Sequence, residues 1–96
     1  MKRFLIAAEF HTSSKTAKST RDTVSRIVSS LGEAYRAQES LWFLYSDCTK
    51  DEISKRVRSV MDNRDQLIVT NVGGVYYAGW DKDFNKYLAQ HVNQHS

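Results

Sequence analysis

Residues 4–10 read FLIAAEF, a run that is apolar except for Glu9. A short apolar run of this kind is typical of a strand buried on both faces, so we predict a central strand of a sheet. An ionised carboxylate is costly to bury without a partner, which places Glu9 where the strand emerges. The polar segment HTSSKTAKST follows at residues 11–20, and Arg21 comes directly after it. A carboxylate at a strand end beside a cationic, hydroxyl-rich loop predicts a phosphate or metal–phosphate site.

The composition favours a single small domain over residues 1–96. Hydrophobic residues make up 41% of the chain and charged residues 26%, as in ordinary globular proteins. The net charge of +3 is compatible with a polyanionic partner such as nucleic acid. The single cysteine, Cys48, excludes an internal disulfide and a cysteine-based zinc site, and it favours a reducing compartment. The apolar run behind Lys2 and Arg3 is too short to span a membrane, so we expect a cytoplasmic protein without a membrane partner.

The first half of the chain predicts one helix and a second strand. Ser19 or Thr20 can cap the helix, and Gly32 ends it. The helix carries an apolar stripe at helical spacing, formed by Val24, Ile27, Val28 and Leu31. The second strand is predicted at residues 40–45, which are rich in aromatic and large apolar side chains, with Gln38-Glu39 at its entry.

The second half of the chain predicts a helix, a hairpin and a closing helix. TKDE at residues 49–52 matches a capping box, in which Thr49 and Glu52 exchange hydrogen bonds. The remaining predicted elements are an amphipathic helix with Ile53, Val57, Val60 and Met61, a polar turn at 62–65, a strand at 67–72, a Gly73-Gly74 hairpin turn, a strand at 75–78 and a helix from 83 to about 92.

The predicted order is strand–helix–strand–helix–strand–strand–helix. We interpret it as an α+β fold with a ferredoxin-like antiparallel sheet, two helices on one face, an extra C-terminal hairpin strand and a short helix. The other face of the sheet is then uncovered within one chain. Trp42, Leu44, Tyr76 and Trp80 supply more apolar surface than two helices hide. Such a face normally finds a partner, so we predict a two-fold homodimer packed sheet against sheet or through the last strand.

Several motifs resemble a known superfamily. The first strand ends in an acidic residue, Glu9 in AAEF, and the second strand begins with Gln38-x-Ser40 before apolar and aromatic residues. A third strand opens on Asp65 in DQLIVTNV, and GGVYYAGW follows at residues 73–80. Over about residues 1–80 the chain resembles the superfamily of the small CRISPR-associated adaptation protein (the second core Cas protein), which includes VapD-type ribonucleases. Within it, the chain most resembles the free-standing SinR-like bacterial proteins.

The resemblance implies a homodimer in which the first-strand carboxylates of two chains approach each other. It also implies one of two roles, since some members are metal-dependent nucleases and others hold duplex nucleic acid as a scaffold. Carried over to this chain, it makes Glu9 a catalytic residue and a ligand for Mg²⁺, with no other cofactor. The chain departs from the family pattern here, because Glu9 replaces the usual Asp and Ala8 the usual aromatic residue.

The residues themselves suggest two sets of site residues. Glu9 is either a metal ligand or an interface carboxylate, and His11 is either a catalytic acid or base or a polar surface residue. The predicted phosphate-binding residues are Ser13, Ser14, Lys15, Lys18 and Arg21. Hydroxyls and helix-start amides donate hydrogen bonds to phosphate, although a solvated loop that caps a helix would have the same composition.

Two further groups have an open interpretation. Lys50, Lys55, Arg56 and Arg58 either follow a phosphate backbone or form a solvated helix face. The aromatic residues either stack on bases or fill the core and the dimer contact. They are Trp42, Phe43, Tyr45, Tyr76, Tyr77 and Trp80.

We therefore expect a homodimeric protein that binds RNA or DNA through the phosphate backbone. If it is an enzyme, we expect a metal-dependent or histidine-assisted endoribonuclease with Glu9 and His11 in the dimer cleft. The alternative is a non-catalytic regulatory protein, or a phage or toxin–antitoxin accessory protein, that binds a protein partner or a small nucleotide signal.

Overall fold

Counted along the chain, the four strands that the structure describes form an antiparallel sheet in the order second, third, first and fourth. The computed structural model describes residues 1–11, 14–73 and 82–91. Its elements are β1 (Lys2–Glu9), α1 (Ser14–Ser30), β2 (Glu33–Gln38), β3 (Leu41–Ser46), α2 (Lys50–Arg58), β4 (Gln66–Asn71) and α3 (Lys82–His91). β1 pairs with both β3 and β4, so the apolar run at residues 4–10 does form a central strand. The predicted ferredoxin-like α+β fold is confirmed.

The predicted order of elements is wrong at β2. The order observed is strand–helix–strand–strand–helix–strand–helix, and a two-residue turn at Glu39–Ser40 joins β2 to β3. β2 pairs with β3 alone among the described strands, so it lies at an edge of the sheet and half of its residues are exposed. An edge strand needs no continuous apolar run, and EAYRAQ has none. The predicted hairpin strand at 75–78 lies outside the described residues.

α1 begins at Ser14, five residues before the predicted cap at Ser19. Ala17 is buried, and it extends the apolar stripe of Val24 and Val28 toward the start of the helix. Hydroxyl side chains are tolerated within a helix when they donate to a backbone carbonyl one turn earlier. The Thr23 Oγ1 does so, donating to the Ser19 carbonyl oxygen at 3.0 Å. The segment after β1 is therefore mostly helix instead of loop.

α1 and α2 cover the same face of the sheet, as predicted. The core between them and the sheet consists of Phe4, Ile6, Val24, Val28, Trp42, Leu44, Ile53 and Val57. Trp42 and Leu44 are each 1% exposed, so the prediction that they add to a surface too large for the two helices to hide is wrong for these two residues. The Trp42 Nε1 donates to the Ser25 Oγ at 3.2 Å, which satisfies the buried indole. α2 begins with the predicted capping box, since the Glu52 amide donates to the Thr49 Oγ1 at 3.1 Å.

The opposite face is partly covered by α3. The rings of Tyr87 and Tyr35 lie 5.6 Å apart, and the Tyr87 hydroxyl donates to the Glu33 carbonyl oxygen at 2.9 Å. Phe43 is buried beneath this contact. The expectation of a wholly uncovered face is thus wrong for the β2–β3 half, whereas Ile68 on β4 is 63% exposed. Tyr76, Tyr77 and Trp80 lie outside the described residues.

None of the helices in the described part of the chain is long and apolar enough to cross a membrane.

Candidate functional site

Three connections meet at one end of the sheet. β1 ends there at Glu9, whose cross-strand partner is Gln66 at the start of β4. On the other side, the Ala8 amide donates to the Ser40 carbonyl oxygen at 3.0 Å, which brings the β2–β3 turn next to β1. Because α1 follows β1 closely, its first turns also lie near this end. The antiparallel topology therefore gathers here residues that are far apart in the sequence.

Glu9 and His11 share a cavity of about 190 Å³, which we call the acid–histidine cavity. Its other lining residues are Phe10, Arg64 and Gln66. Both predicted catalytic side chains are exposed. A carboxylate, an imidazole and a guanidinium thus face one space, and their roles there stay a prediction.

Asp65 fixes the backbone position of His11 through a hydrogen bond. Its carboxylate is buried, and it accepts hydrogen bonds from the His11 amide and the Asp62 amide, both at 2.8 Å. The Asp65 carbonyl oxygen accepts from the Arg58 Nη1 at 2.9 Å. Asp65 therefore ties the exit of β1 to the turn between α2 and β4. The sequence indicated Asp65 as part of a polar turn and as a mark of family resemblance, but it did not predict this contact.

Asp62 is committed to Arg64. The Asp62 Oδ1 accepts from the Arg64 amide at 2.8 Å and from the Arg64 Nε at 3.2 Å. The side-chain hydrogen bond from Arg64 holds the pKa of the Asp62 carboxyl below its ordinary value, and the same contact raises the pKa of Arg64. Asp62 is therefore charged at neutral pH, with its charge offset by its neighbour.

Among the residues that the structure describes, the carboxylates at this end are not grouped as a magnesium site. Mg²⁺ prefers near-octahedral oxygen ligands, usually one or two carboxylates with water and phosphate. Asp65 accepts two amides and Asp62 is bound to Arg64, which leaves Glu9 alone in the acid–histidine cavity. Across the described ranges, no three His, Cys, Asp or Glu side chains are grouped to hold a metal ion. The Mg²⁺ hypothesis for Glu9 stays a prediction, and it requires ligands beyond the described carboxylates of this end.

A second cavity, of about 340 Å³, is lined by three cationic side chains, and we call it the cationic cavity. It is lined by Lys18, Arg21, Asp22, Arg36, Gln38 and Glu39. Lys18 and Arg21 reach it from α1 and not from a loop, which corrects the prediction. Among the described residues, the cationic cavity and the acid–histidine cavity have no lining residue in common, so the predicted site residues fall into two separate groups. Ser14 and Lys15 begin α1, and Ser13 lies outside the described residues.

Arg36 is held firmly in the cationic cavity. Its Nε and Nη2 donate to the Glu39 carbonyl oxygen at 3.0 and 2.7 Å, and its Nη1 lies 3.6 Å from the Asp22 Oδ1. The guanidinium also lies 5.6 Å from the centre of the Trp42 ring, within range of a cation–π contact. Sequence reasoning missed Arg36 because β2 was not predicted.

Arg21 is bound less completely. Its Nη2 lies 4.0 Å from the Glu39 Oε2, which is too far for a hydrogen bond. Its Nε is buried and has no hydrogen-bond partner among the residues that the structure describes. A guanidinium with unused donors, next to Lys18 and Arg36, is suited to an anionic ligand.

The sequence matches no protein-family model, and no curated protein matches it. Solved structures of similar fold include the following two. A hypothetical protein from Thermus thermophilus has a TM-score of 0.64 and 23% identity, over 82% of this chain and 92% of that one. Cas2 from Streptococcus pyogenes has a TM-score of 0.55 and 18% identity, over 88% of this chain and 93% of that one. The likeness to VapD-type and SinR-like proteins stays a prediction. The chain has a Cas2-like fold.

Proposed function

We propose that this protein is a homodimer that binds RNA or DNA through the phosphate backbone. The observation that carries the proposal is the cationic cavity, where Lys18 and Arg21 of α1 meet Arg36 of β2. Arginine pairs with phosphate through two parallel hydrogen bonds, and lysine adds a mobile positive charge. The two carboxylates in the cavity oppose this binding only weakly, because Asp22 is 46% and Glu39 is 84% exposed and ion pairs of exposed groups contribute little.

Self-association is supported by the open half of the sheet. Ile68 on β4 is 63% exposed, and Ala7 lies beside it on β1 as its cross-strand partner. These two residues line a mostly apolar cavity of about 180 Å³ at the same end of the sheet. An exposed apolar area on a sheet face is commonly buried by a partner, and a second copy presents the same surface.

The test is fluorescence anisotropy with labelled single- and double-stranded RNA and DNA over a series of salt concentrations. We expect Lys18→Gln/Arg21→Gln to weaken binding and to reduce the salt slope by about 1.4 on single strands, since each phosphate contact contributes about 0.7. The matched control is Lys55→Gln/Arg56→Gln, which removes the same charge from the exposed face of α2. Circular dichroism checks that both variants fold.

Two results would overturn the proposal. One is a protein that retains none of the four nucleic acids at low salt. The other is an equal loss of slope in both double variants, because that result assigns binding to general charge and not to the cationic cavity. Light scattering or analytical ultracentrifugation tests the homodimer, and Ile68→Lys is expected to shift it toward the monomer.

A second candidate function, histidine-assisted RNA cleavage, is favoured by the acid–histidine cavity. Glu9, His11 and Arg64 supply a base, an acid and a stabilising cation in one space. One group would take the proton from the ribose 2′-hydroxyl as its oxygen attacks phosphorus. The other would donate a proton to the departing 5′-oxygen. Asp65 would help by fixing the backbone position of His11.

Incubation with labelled RNA in the presence and absence of a chelator tests this candidate. We expect cleavage that survives the chelator, spares DNA and is lost in His11→Ala. His91→Gln on α3 is the matched control and should cleave normally. Loss of cleavage on chelation would instead support the metal-dependent route through Glu9. An absence of cleavage under both conditions would leave binding as the whole function.

A further inference from the structure

The position of Arg21 in α1 is unusual for a charged residue. It continues the buried stripe of Ala17, Val24 and Val28, all of which belong to the core-facing side of the helix. Its side chain is only 20% exposed, and the buried Nε has no hydrogen-bond partner in the described ranges of the chain. Buried donors in proteins are nearly always paired, so an unpaired guanidinium donor beside a cavity indicates a ligand that supplies the acceptor.

The Glu39 side chain lies next to the Arg21 guanidinium, where the ligand would bind, but it contacts the guanidinium only at long distance. Its carbonyl oxygen is fixed by two hydrogen bonds from Arg36, so the backbone at this turn is held. Its side chain, in contrast, is 84% exposed, and its Oε2 stays 4.0 Å from the Arg21 Nη2. The carboxylate therefore offsets the charge of Arg21 without satisfying the hydrogen bonds of its donors.

We infer that Arg21 binds a single phosphate group and that the Glu39 carboxylate occupies the phosphate position until the phosphate displaces it. Nε and Nη2 form one edge of the guanidinium, the edge that binds an oxyanion through two parallel hydrogen bonds. On Arg21 this edge carries the unpaired Nε and faces Glu39. A phosphate satisfies both donors, and Lys18 at the rim of the cavity adds a second positive charge.

The ligand is a phosphate of a nucleic-acid strand, as either a terminal monoester or an internal diester. That identification rests on the proposed function, whereas the subsite itself is testable with inorganic phosphate. The displacement of Glu39 has a clear sign. Removing its charge removes the competitor, so Glu39→Gln should bind phosphate ligands more tightly, by about two- to five-fold for an exposed ion pair.

The matched control is Asp47→Asn. It makes the same charge change on a side chain that is 82% exposed and lies near the N-terminal amine, at the opposite end of the sheet. If Glu39 acts only through net charge, the two variants will tighten binding equally. If it acts by occupying the Arg21 subsite, only Glu39→Gln will reach the expected factor.

The first experiment titrates inorganic phosphate into ¹⁵N-labelled protein and follows the Nε–H signal of Arg21 by NMR. We expect a saturable shift that is stronger in Glu39→Gln and is not reproduced by chloride at equal ionic strength. Arg21→Lys keeps the positive charge but loses the two parallel donors, Nε and Nη2. Phosphate binding should therefore weaken in that variant although the fold is retained. An unchanged Nε–H signal in both the wild type and Glu39→Gln overturns the subsite.

The second experiment measures anisotropy with one oligonucleotide in 5′-phosphorylated and unphosphorylated forms. A preference for the phosphorylated form that disappears in Arg21→Lys assigns a terminal monoester, and equal binding weakened by Arg21→Lys assigns an internal diester. Oligonucleotide binding that is unaffected by Glu39→Gln and Arg21→Lys overturns the subsite but leaves the proposed function standing. A phosphate-dependent NMR shift without oligonucleotide binding retains the subsite and overturns the proposed function.

Discussion

Replacing Asp65 by alanine should destabilise the protein more than its position in a surface turn suggests. The Asp65 carboxylate is 7% exposed and accepts two backbone amides, one from His11 and one from Asp62. The His11 contact joins residues 54 positions apart in the sequence. Asp65→Ala removes both acceptors and leaves two part-buried amides to find water.

The magnitude follows from these two bonds. A hydrogen bond to a charged group contributes about 1.5–3 kcal/mol to the free energy of unfolding, and part-buried amides belong near the lower end. Two such bonds give a loss of about 3 kcal/mol. A small domain is stable by about 5–15 kcal/mol, so the variant should still fold. Its Tm should fall by about 12–24 °C, at about 4–8 °C for each kcal/mol.

Urea unfolding monitored by circular dichroism measures the loss, and hydrogen exchange at the His11 amide locates it. Asp65→Asn keeps one acceptor and should lose about half as much stability. Asp62→Ala is the control in the same turn, and its loss should be smaller because the bonds that its carboxylate accepts from the Arg64 amide and side chain are exposed to solvent. An Asp65→Ala variant that is as stable as the wild type, or one whose His11 amide exchanges at the wild-type rate, would refute this account of the turn.

Three further predictions concern other parts of the fold. Gly32→Ala should cost about 1–3 kcal/mol in urea unfolding, because a Cβ there overlaps the carbonyl oxygen of Tyr45; an unchanged midpoint would contradict the close approach of the turn between α1 and β2 to β3. Thr49→Ala should cost about 1 kcal/mol and Thr49→Ser much less, if the capping box stabilises α2 as the hydrogen bonds indicate. Burial, assisted by the charge of Glu33, raises the pKa of the Tyr87 phenol well above its ordinary value of 10.0. Because Tyr87 then stays neutral near pH 10, the tyrosinate absorbance gained there should be the same in Tyr87→Phe as in the wild type. The stability that this neutral phenol contributes is fully present below pH 10 and is lost as the pH rises through the raised pKa; a smaller absorbance gain in Tyr87→Phe would show that the phenol ionises normally.

Much of the fold was predictable because its signals are local. The apolar run at residues 4–10 predicts a central strand, and β1 is central, although only Phe4 and Ile6 on its helix-covered face are fully buried. The capping box at Thr49 marks the start of α2 through contacts only three residues apart. The strand predicted at 67–72 and the helix predicted from 83 correspond to β4 and α3 within one residue.

The candidate site was less predictable because its contacts join separate elements. Glu9 and His11 could be recognised from the end of one strand, but Arg36 could not, since an edge strand with exposed side chains has no apolar pattern. Arg21 was recognised as a cation in a polar segment, although its burial follows from its place on the core-facing stripe of a longer α1.

The amino-acid sequence by itself determined the fold class, the central strand and the cap of α2, because periodicity and capping are properties of neighbouring residues. The tertiary structure alone decided which charged groups share a space. It brought Arg21 next to Arg36 and Glu39 in the cationic cavity. It also gave the His11 amide a hydrogen bond to the Asp65 carboxylate, and it left His11 in a different cavity, the acid–histidine cavity. The physical reason is that the packing of strand and helix ends determines which charged and hydrogen-bonding groups become partners. The sequence around one of these residues does not indicate which distant residue its partner will be.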